Sequence, residues 1–130
     1  MSFLTRKRPF QAAIAILCAV PLTASLMGVL GGPAAFEPGA VAADVDSHFR
    51  YLSGIFLGVA LGFLSCIRNI ETKTARFRLL AAFVMLGGLA RLLSFVLIGP
   101  PTWPHLIGLG IELGVMPLMV LWQDRVRRAG

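Results

Sequence analysis

The sequence predicts an all-α membrane protein, a single domain of four transmembrane helices with short loops, packed as a four-helix bundle with both termini cytoplasmic. Hydrophobic residues make up 57% of the 130 positions and charged residues only 14%, whereas a soluble domain carries about 25% charged residues. No charged residue lies between Pro9 and Phe36, and one membrane-spanning helix needs about 20 apolar residues. The basic residues cluster between such apolar runs, as expected for a multi-pass protein.

The first span is predicted at about residues 10–30. Arg6, Lys7 and Arg8 precede it, and Gly31-Gly32-Pro33 follows it. A cleaved signal peptide is the alternative, because Ala40-Val41-Ala42 resembles a cleavage site. An uncleaved span is favoured, because the apolar run exceeds the roughly 7–15 residues of a signal-peptide core.

The other three spans follow from the remaining apolar runs. Asp46 or Ser47 is expected to cap the start of the second helix, and Gly99-Pro100-Pro101 ends the third, because proline cannot continue a helix. Trp103 and Trp122 stand near the two ends of the fourth, where amphipathic rings favour the membrane interface. These spans are predicted at about residues 48–67, 75–98 and 104–123.

The placement of lysine and arginine predicts the topology. Ten of the twelve lie in three segments, the N-terminal segment, the middle loop and the C-terminal tail, and the two other loops have none. Cytoplasmic loops are enriched in such residues, so four spans with both termini inside satisfy the rule. The net charge of +6 is thereby explained by topology, and no nucleic acid partner is expected.

Three charged residues lie within the predicted spans: Arg50, Arg91 and Glu112. Each costs roughly 2.5–3.5 kcal/mol on insertion scales, so such residues usually face a partner. Arg91 and Glu112 lie at similar depth, about 10–12 Å from the outer ends of their helices. The three are predicted to form one cluster, which is either a site for an anion or polar headgroup or a salt bridge that fixes helix packing. The further candidates for this cluster are Asp46, His48, Tyr51 and His105.

Glycines accompany these charges at helical spacing, which lets a second helix approach closely. Either packing within the chain or contact with a second copy would use them. Gly54, Gly58 and Gly62 repeat every four residues, Gly87 and Gly88 precede Arg91, and Gly108 precedes Glu112.

Motifs for catalysis or cofactor binding are missing from the sequence. It has no nucleophile motif, phosphate-binding loop or zinc-type pattern, so we expect no enzyme, no metal and no cofactor. Cys18 and Cys66 are expected at different depths and unbonded. Two histidines alone are weak evidence for a haem or quinone subunit, which remains the second alternative function.

Several segments together resemble a known family. They are Phe49–Gly54, Leu57-Gly58, Phe77-Arg78, Gly87–Leu92, and Glu112 with Pro117. The chain resembles, over about residues 48–123 and a first span of the expected kind, small bacterial four-helix membrane proteins known only as a domain of unknown function. The resemblance implies a multi-pass protein of the bacterial cytoplasmic membrane, assigns no activity, and makes Arg50, Arg91 and Glu112 motif positions.

The sequence thus favours a small integral membrane protein of the lipid bilayer. Its expected role is to bind a lipid-like or anionic ligand, or a membrane partner, through the arginine and glutamate cluster. The first alternative is a proton-coupled transporter or channel subunit with Glu112 as the proton carrier. Four spans are too few to alternate access alone, so that function would need a homo-oligomer or a membrane-protein partner.

Overall fold

The computed structural model describes residues 2–130, and within them it contains helices and no strand. Short 3₁₀ turns at Phe3–Thr5, Pro33–Ala35 and Ile70–Thr72 accompany the long helices. The all-α prediction is therefore confirmed. The four long helices are α1 (Lys7–Gly31), α2 (Ala43–Ile67), α3 (Thr74–Ile98) and α4 (Trp103–Ala129).

Each of these helices is long and apolar enough to cross a membrane. Their most apolar 18-residue windows have mean hydropathies of 1.6 to 2.3, and only 11% to 22% of each window is buried. Ile98, for example, is 87% exposed. Exposing so much apolar surface to water would be unfavourable, whereas lipid covers it without that cost. The structure therefore fits the predicted four spans.

The helix boundaries differ from the predicted ones where polar residues extend a helix. The backbone N–H of Asp46 donates to Ala42 O, so α2 begins at Ala43 and the predicted cap at Asp46 or Ser47 is wrong. In α4, Asp124 forms ion pairs with Arg127 and Arg128 one turn further on. Such pairs stabilise a helix, and the basic tail is helical as far as Ala129.

The chain divides into two compact units, which we describe separately. The α1–α2 unit comprises Gln11–Ile67, and the α3–α4 unit comprises residues 2–10 with Arg68–Gly130.

In the α1–α2 unit the helices run antiparallel. Gln11 Nε2, near the start of α1, donates to Ile67 O at the end of α2. Towards the other end, a Cβ added at Gly28 would overlap the Ser53 side chain and lie 3.3 Å from Phe49. Gly28 therefore lets the two helices approach closely, as small residues do in membrane proteins.

The α3–α4 unit is closed at one end by buried side chains. Phe10 packs edge-on against Phe77 and Trp122, with ring centroids 5.6 and 5.2 Å apart. Gln123 is fully buried, and its Nε2 donates to Ile70 O at 3.1 Å and Thr74 Oγ1 at 2.8 Å. Leaving a buried N–H group without an acceptor is costly, so these two bonds from Nε2 tie α4 to the start of α3 and the turn before it.

Candidate functional site

Arg91 of α3 and Glu112 of α4 form a two-pronged ion pair. Arg91 Nε donates to Glu112 Oε2, and Nη2 donates to Oε1, both at 3.0 Å. The side chains are 33% and 13% exposed, respectively. Parallel bonds between a guanidinium and a carboxylate are stronger than neutral hydrogen bonds and fix orientation. The contact expected from the similar depths of these residues is present.

Gly88 positions this pair by allowing α3 and α4 to come together. A Cβ added at Gly88 would lie only 2.8 Å from Glu112 Cβ and 2.9 Å from Leu113 Cδ2. At Gly108 the nearest atoms, in Arg91 and Glu112, are at ordinary contact distances of 3.8–3.9 Å. Gly87 is exposed and has no neighbouring atom within 4 Å. Gly88 and Gly108 therefore lie at the site, and Gly87 faces outward.

His105 completes the site on its exposed side. Its Nδ1 lies 3.0 Å from Arg91 Nη1. Arginine stays protonated and has no acceptor, so Nη1 must donate and Nδ1 must accept. This geometry selects the neutral tautomer of His105 with its proton on Nε2. One guanidinium thus contacts a carboxylate on two of its nitrogens and a neutral imidazole on the third.

Glu112 lies in a π-helical turn, Ile111–Val115, that interrupts α4. The turn directly precedes Met116-Pro117. In a regular α-helix the Pro117 ring would clash with the carbonyl of Leu113, and its nitrogen has no proton to donate. Single π turns relieve such conflicts and occur frequently at functional sites. A proline within a helix removes one backbone hydrogen bond, but the sequence gave no sign of the wider turn.

Arg50 lies in the α1–α2 unit and has its own partners. Its Nε donates to Asp46 Oδ2 at 2.8 Å, and its Nη1 donates to Val29 O and Leu30 O at 2.8 and 2.9 Å. The last carbonyls of a helix have no partner within it, so Arg50 caps the end of α1. Asp46 neutralises its charge.

Gly32 belongs to this arrangement and was not among the predicted site residues. Its φ of +63° is in the left-handed region, which other residues adopt at a cost. A Cβ there would lie 2.5 Å from Asp46 Oδ1 and 2.8 Å from Arg50 Nη2. The only sequence signal was Gly31-Gly32-Pro33, which had been interpreted as a helix end.

The structure thus forms two charge-balanced groups within the two units. Arg50 pairs with Asp46 in one unit, and Arg91 pairs with Glu112 beside His105 in the other. The single cluster of Arg50, Arg91 and Glu112 stays a prediction. The excess positive charge expected from two arginines is offset by the two carboxylates.

His48 and Tyr51 lie apart from the Arg50 ion pair. Both are exposed, and their ring centroids are 6.5 Å apart. Neither side chain is among the hydrogen-bond partners of Arg50 within residues 2–130. The two rings therefore lie beside each other, and Arg50 is bonded to Asp46 and to the end of α1.

The glycine stripe of α2 does not face α1. Gly54 and Gly58 are exposed, and a Cβ added at either meets no atom within 4 Å. Gly62 is half-buried. Within the α1–α2 unit, α1 approaches α2 over a different face, at Ser53. The use of Gly54 and Gly58 for packing against another helix or a second copy stays a prediction.

A second group of charges joins the opposite end of the α3–α4 unit. Lys7 Nζ donates to Glu71 Oε1 at 2.8 Å, and Arg78 pairs with Asp124 at 3.1 Å. The hydrogen bond from Lys7 holds the pKa of Glu71 below its ordinary value. From the sequence, these basic residues had been explained by membrane topology alone. Their acidic partners are 64 and 46 residues away along the chain, so the pairs could not be predicted from local spacing.

Comparison with known proteins gives one match. The family model described as a domain of unknown function, DUF4345, matches residues 9–123. No curated protein and no solved structure matches the chain. The match extends over all four helices and includes Arg50, Arg91 and Glu112. Because it spans well over half of the sequence, the chain belongs to the DUF4345 family.

Proposed function

We propose that this chain is a multi-pass protein of the bacterial cytoplasmic membrane that binds a lipid-like anion at Arg91 and catalyses no reaction. Both termini are cytoplasmic in this proposal, which rests on the three basic segments. Four helices of sufficient length and apolarity support membrane insertion. The expected ligand carries a carboxylate or phosphate on an apolar tail, since a lipid-exposed site is reached through the bilayer.

The observation that carries the proposal is the contact between Arg91 Nη1 and His105 Nδ1. Glu112 occupies Nε and Nη2 and holds the guanidinium in place. The remaining edge donates to an exposed, neutral acceptor, whereas an anionic oxygen would add the attraction between opposite charges to the hydrogen bond. An anion can therefore displace His105 from Nη1 while the pair with Glu112 stays intact.

Arg50 is a poorer candidate for the same role. Its Nε and Nη2 contact Asp46, and its Nη1 donates to two backbone carbonyls. Displacing those carbonyls would leave the end of α1 with unpaired acceptors, which is costly in an apolar medium. Arg50 accordingly supports the structure, and Arg91 has the exchangeable edge.

Titration of the purified protein in detergent with carboxyl-labelled dodecanoate, followed by carbon NMR, tests this function. Arg91→Gln should weaken binding by about tenfold to a hundredfold, the equivalent of one charged hydrogen bond. His105→Ala should tighten binding, because the competing acceptor is gone, and misfolding cannot produce that gain.

Arg78→Gln is the matched control, since it removes the same charge near the other end of α3. Equal weakening by Arg78→Gln and Arg91→Gln would contradict the proposal. Unchanged or weaker binding by His105→Ala would contradict it as well.

A proton-coupled subunit with Glu112 as carrier is the second candidate. The π turn favours it, because the carboxylate sits on a stretch of helix that can change register. Proton flux in liposomes that stops with Glu112→Gln and persists with Arg78→Gln would support this candidate over the first. The haem or quinone alternative has less support, because Nδ1 of His105 contacts the Arg91 guanidinium and is not free to bind a cofactor.

A further inference from the structure

An open cleft of about 630 Å³ lies in the α3–α4 unit, at the end opposite Arg91. It is formed where the N-terminal segment meets the turn before α3 and the last turn of α4. Arg6, Lys7, Arg8 and Glu71 line it, together with Pro9 and Val126. Its size is within the range of small-molecule sites, about 300–1,000 Å³.

The cleft has more positive than negative side chains. Lys7 is paired with Glu71, whereas Arg6 and Arg8 are exposed and form no ion pair within residues 2–130. Helix α1 begins at Lys7, and the first backbone N–H groups of a helix favour an anion. The unpartnered arginines and the helix start therefore share one end of the cleft.

The remaining wall of the cleft is apolar and includes Pro9 and the buried side chain of Val126. A free inorganic anion would contact the arginines but not the apolar wall. An amphipathic ligand would contact both the arginines and the apolar wall. The cleft also lies next to the first apolar residues of α1, where the headgroups of a bilayer are expected.

We propose that this cleft binds the phosphate of an anionic phospholipid of the cytoplasmic leaflet, with Arg6 and Arg8 contacting the phosphate. This site is separate from Arg91 and does not depend on the function proposed above. The bound lipid would hold the N-terminal segment, Glu71 and the end of α4 together. The preference is for net negative headgroups, since the surplus cations attract them.

Native mass spectrometry of the full chain in detergent tests the proposal, with phosphatidylglycerol and phosphatidylcholine of identical acyl chains as probes. The wild type should retain phosphatidylglycerol preferentially. Arg6→Gln with Arg8→Gln should weaken that binding roughly fivefold for each arginine removed. Glu71→Gln should tighten it, because Lys7 is then freed, and a gain of affinity cannot arise from misfolding.

The matched control is Arg68→Gln with Arg125→Gln, which removes two exposed charges outside the cleft, from the other two basic segments predicted to be cytoplasmic. Its affinity should stay within about twofold of the wild type, because neither arginine lines the cleft and exposed charges are screened by salt. Equal weakening by both double variants would overturn the site in favour of diffuse attraction. Equal retention of the two lipids, displacement by equimolar inorganic phosphate, or no gain with Glu71→Gln would overturn it too.

Discussion

Gly88 and Glu112 face each other across α3 and α4 with no room for a side chain between them. A Cβ on Gly88 would lie 2.8 Å from Glu112 Cβ, closer than nonbonded carbon atoms approach. The position of the Glu112 carboxylate, which holds Arg91, thus depends on glycine, with no side chain, at position 88 of the facing helix.

Gly88→Ala should therefore destabilise the protein by about 1–3 kcal/mol, as overpacking does. It should also weaken ligand binding at Arg91, because Glu112 must move. Gly87→Ala is the control: its Cβ meets open space, and alanine favours a helix over glycine by about 1 kcal/mol. Thermal unfolding in detergent measures both. Equal melting temperatures for the two variants would contradict the close approach.

Gly32→Ala should destabilise the α1–α2 unit by at least about 1–2 kcal/mol, the cost of the left-handed conformation for an alanine. The new methyl group would also meet the Asp46–Arg50 pair. Gly58→Ala has open space in a helix and should be neutral or stabilising. Unfolding curves for both variants check this, and an unaffected Gly32→Ala would show that the loop adapts freely.

The lengths of the apolar runs were enough to predict four helices, because a span needs about 20 such residues. Helix ends were less predictable, because Asp46 and Asp124 continue their helices through pairs with arginines one turn away. The pair of Asp46 and Arg50 fits their local spacing, since residues four apart are neighbours on a helix. Local spacing could not predict that Arg50 also caps the end of α1, since those carbonyls belong to residues 21 and 20 positions away.

The Arg91 site was likewise predictable only in part from the sequence. Depth along the helices predicted the contact between Arg91 and Glu112. The π turn was missed, because it depends on how the chain relieves the conflict at Pro117, and several geometries could do so. His105 was among the candidates for the cluster, but its direct contact with Arg91 was not predicted, because the two side chains meet only once α3 and α4 are packed.

The pair of Lys7 and Glu71 makes stability depend on pH in one direction. The hydrogen bond from Lys7 lowers the pKa of Glu71 below the 4.5 of a solvated glutamate. A carboxylate whose pKa is lower in the folded protein than in the unfolded chain contributes stability at pH values above its unfolded pKa. That contribution is lost as the pH falls through the folded pKa. Between pH 5 and about pH 3, the wild type should lose more stability than Glu71→Gln. Equal losses would contradict the pairing.

Reporter fusions test the topology. Fusions at Gly39 and after Trp103 should report the outer side of the membrane, and fusions at Lys73 and Gly130 the cytoplasm, because the basic segments are retained inside. A cytoplasmic signal at Gly39 would contradict the four-span arrangement. A mature N-terminus after Ala42 would support the signal-peptide alternative instead.

The pair of Arg91 and Glu112 predicts strong coupling between the two residues. Arg91→Leu and Glu112→Leu should each destabilise the protein, because each leaves the other charge without a partner. The loss can reach about 3–5 kcal/mol for a fully buried pair. It should be smaller here, because a third of the Arg91 side chain is exposed.

The double variant should recover much of that stability, since it leaves neither charge unpaired. It should still fail to bind dodecanoate, because no guanidinium remains. Unfolding and binding measured on all four proteins distinguish the cases. Recovery of both stability and cellular activity in the double variant would show that the pair has only a structural role. Purely additive losses would show that the two residues do not interact, and the site would then have to be abandoned.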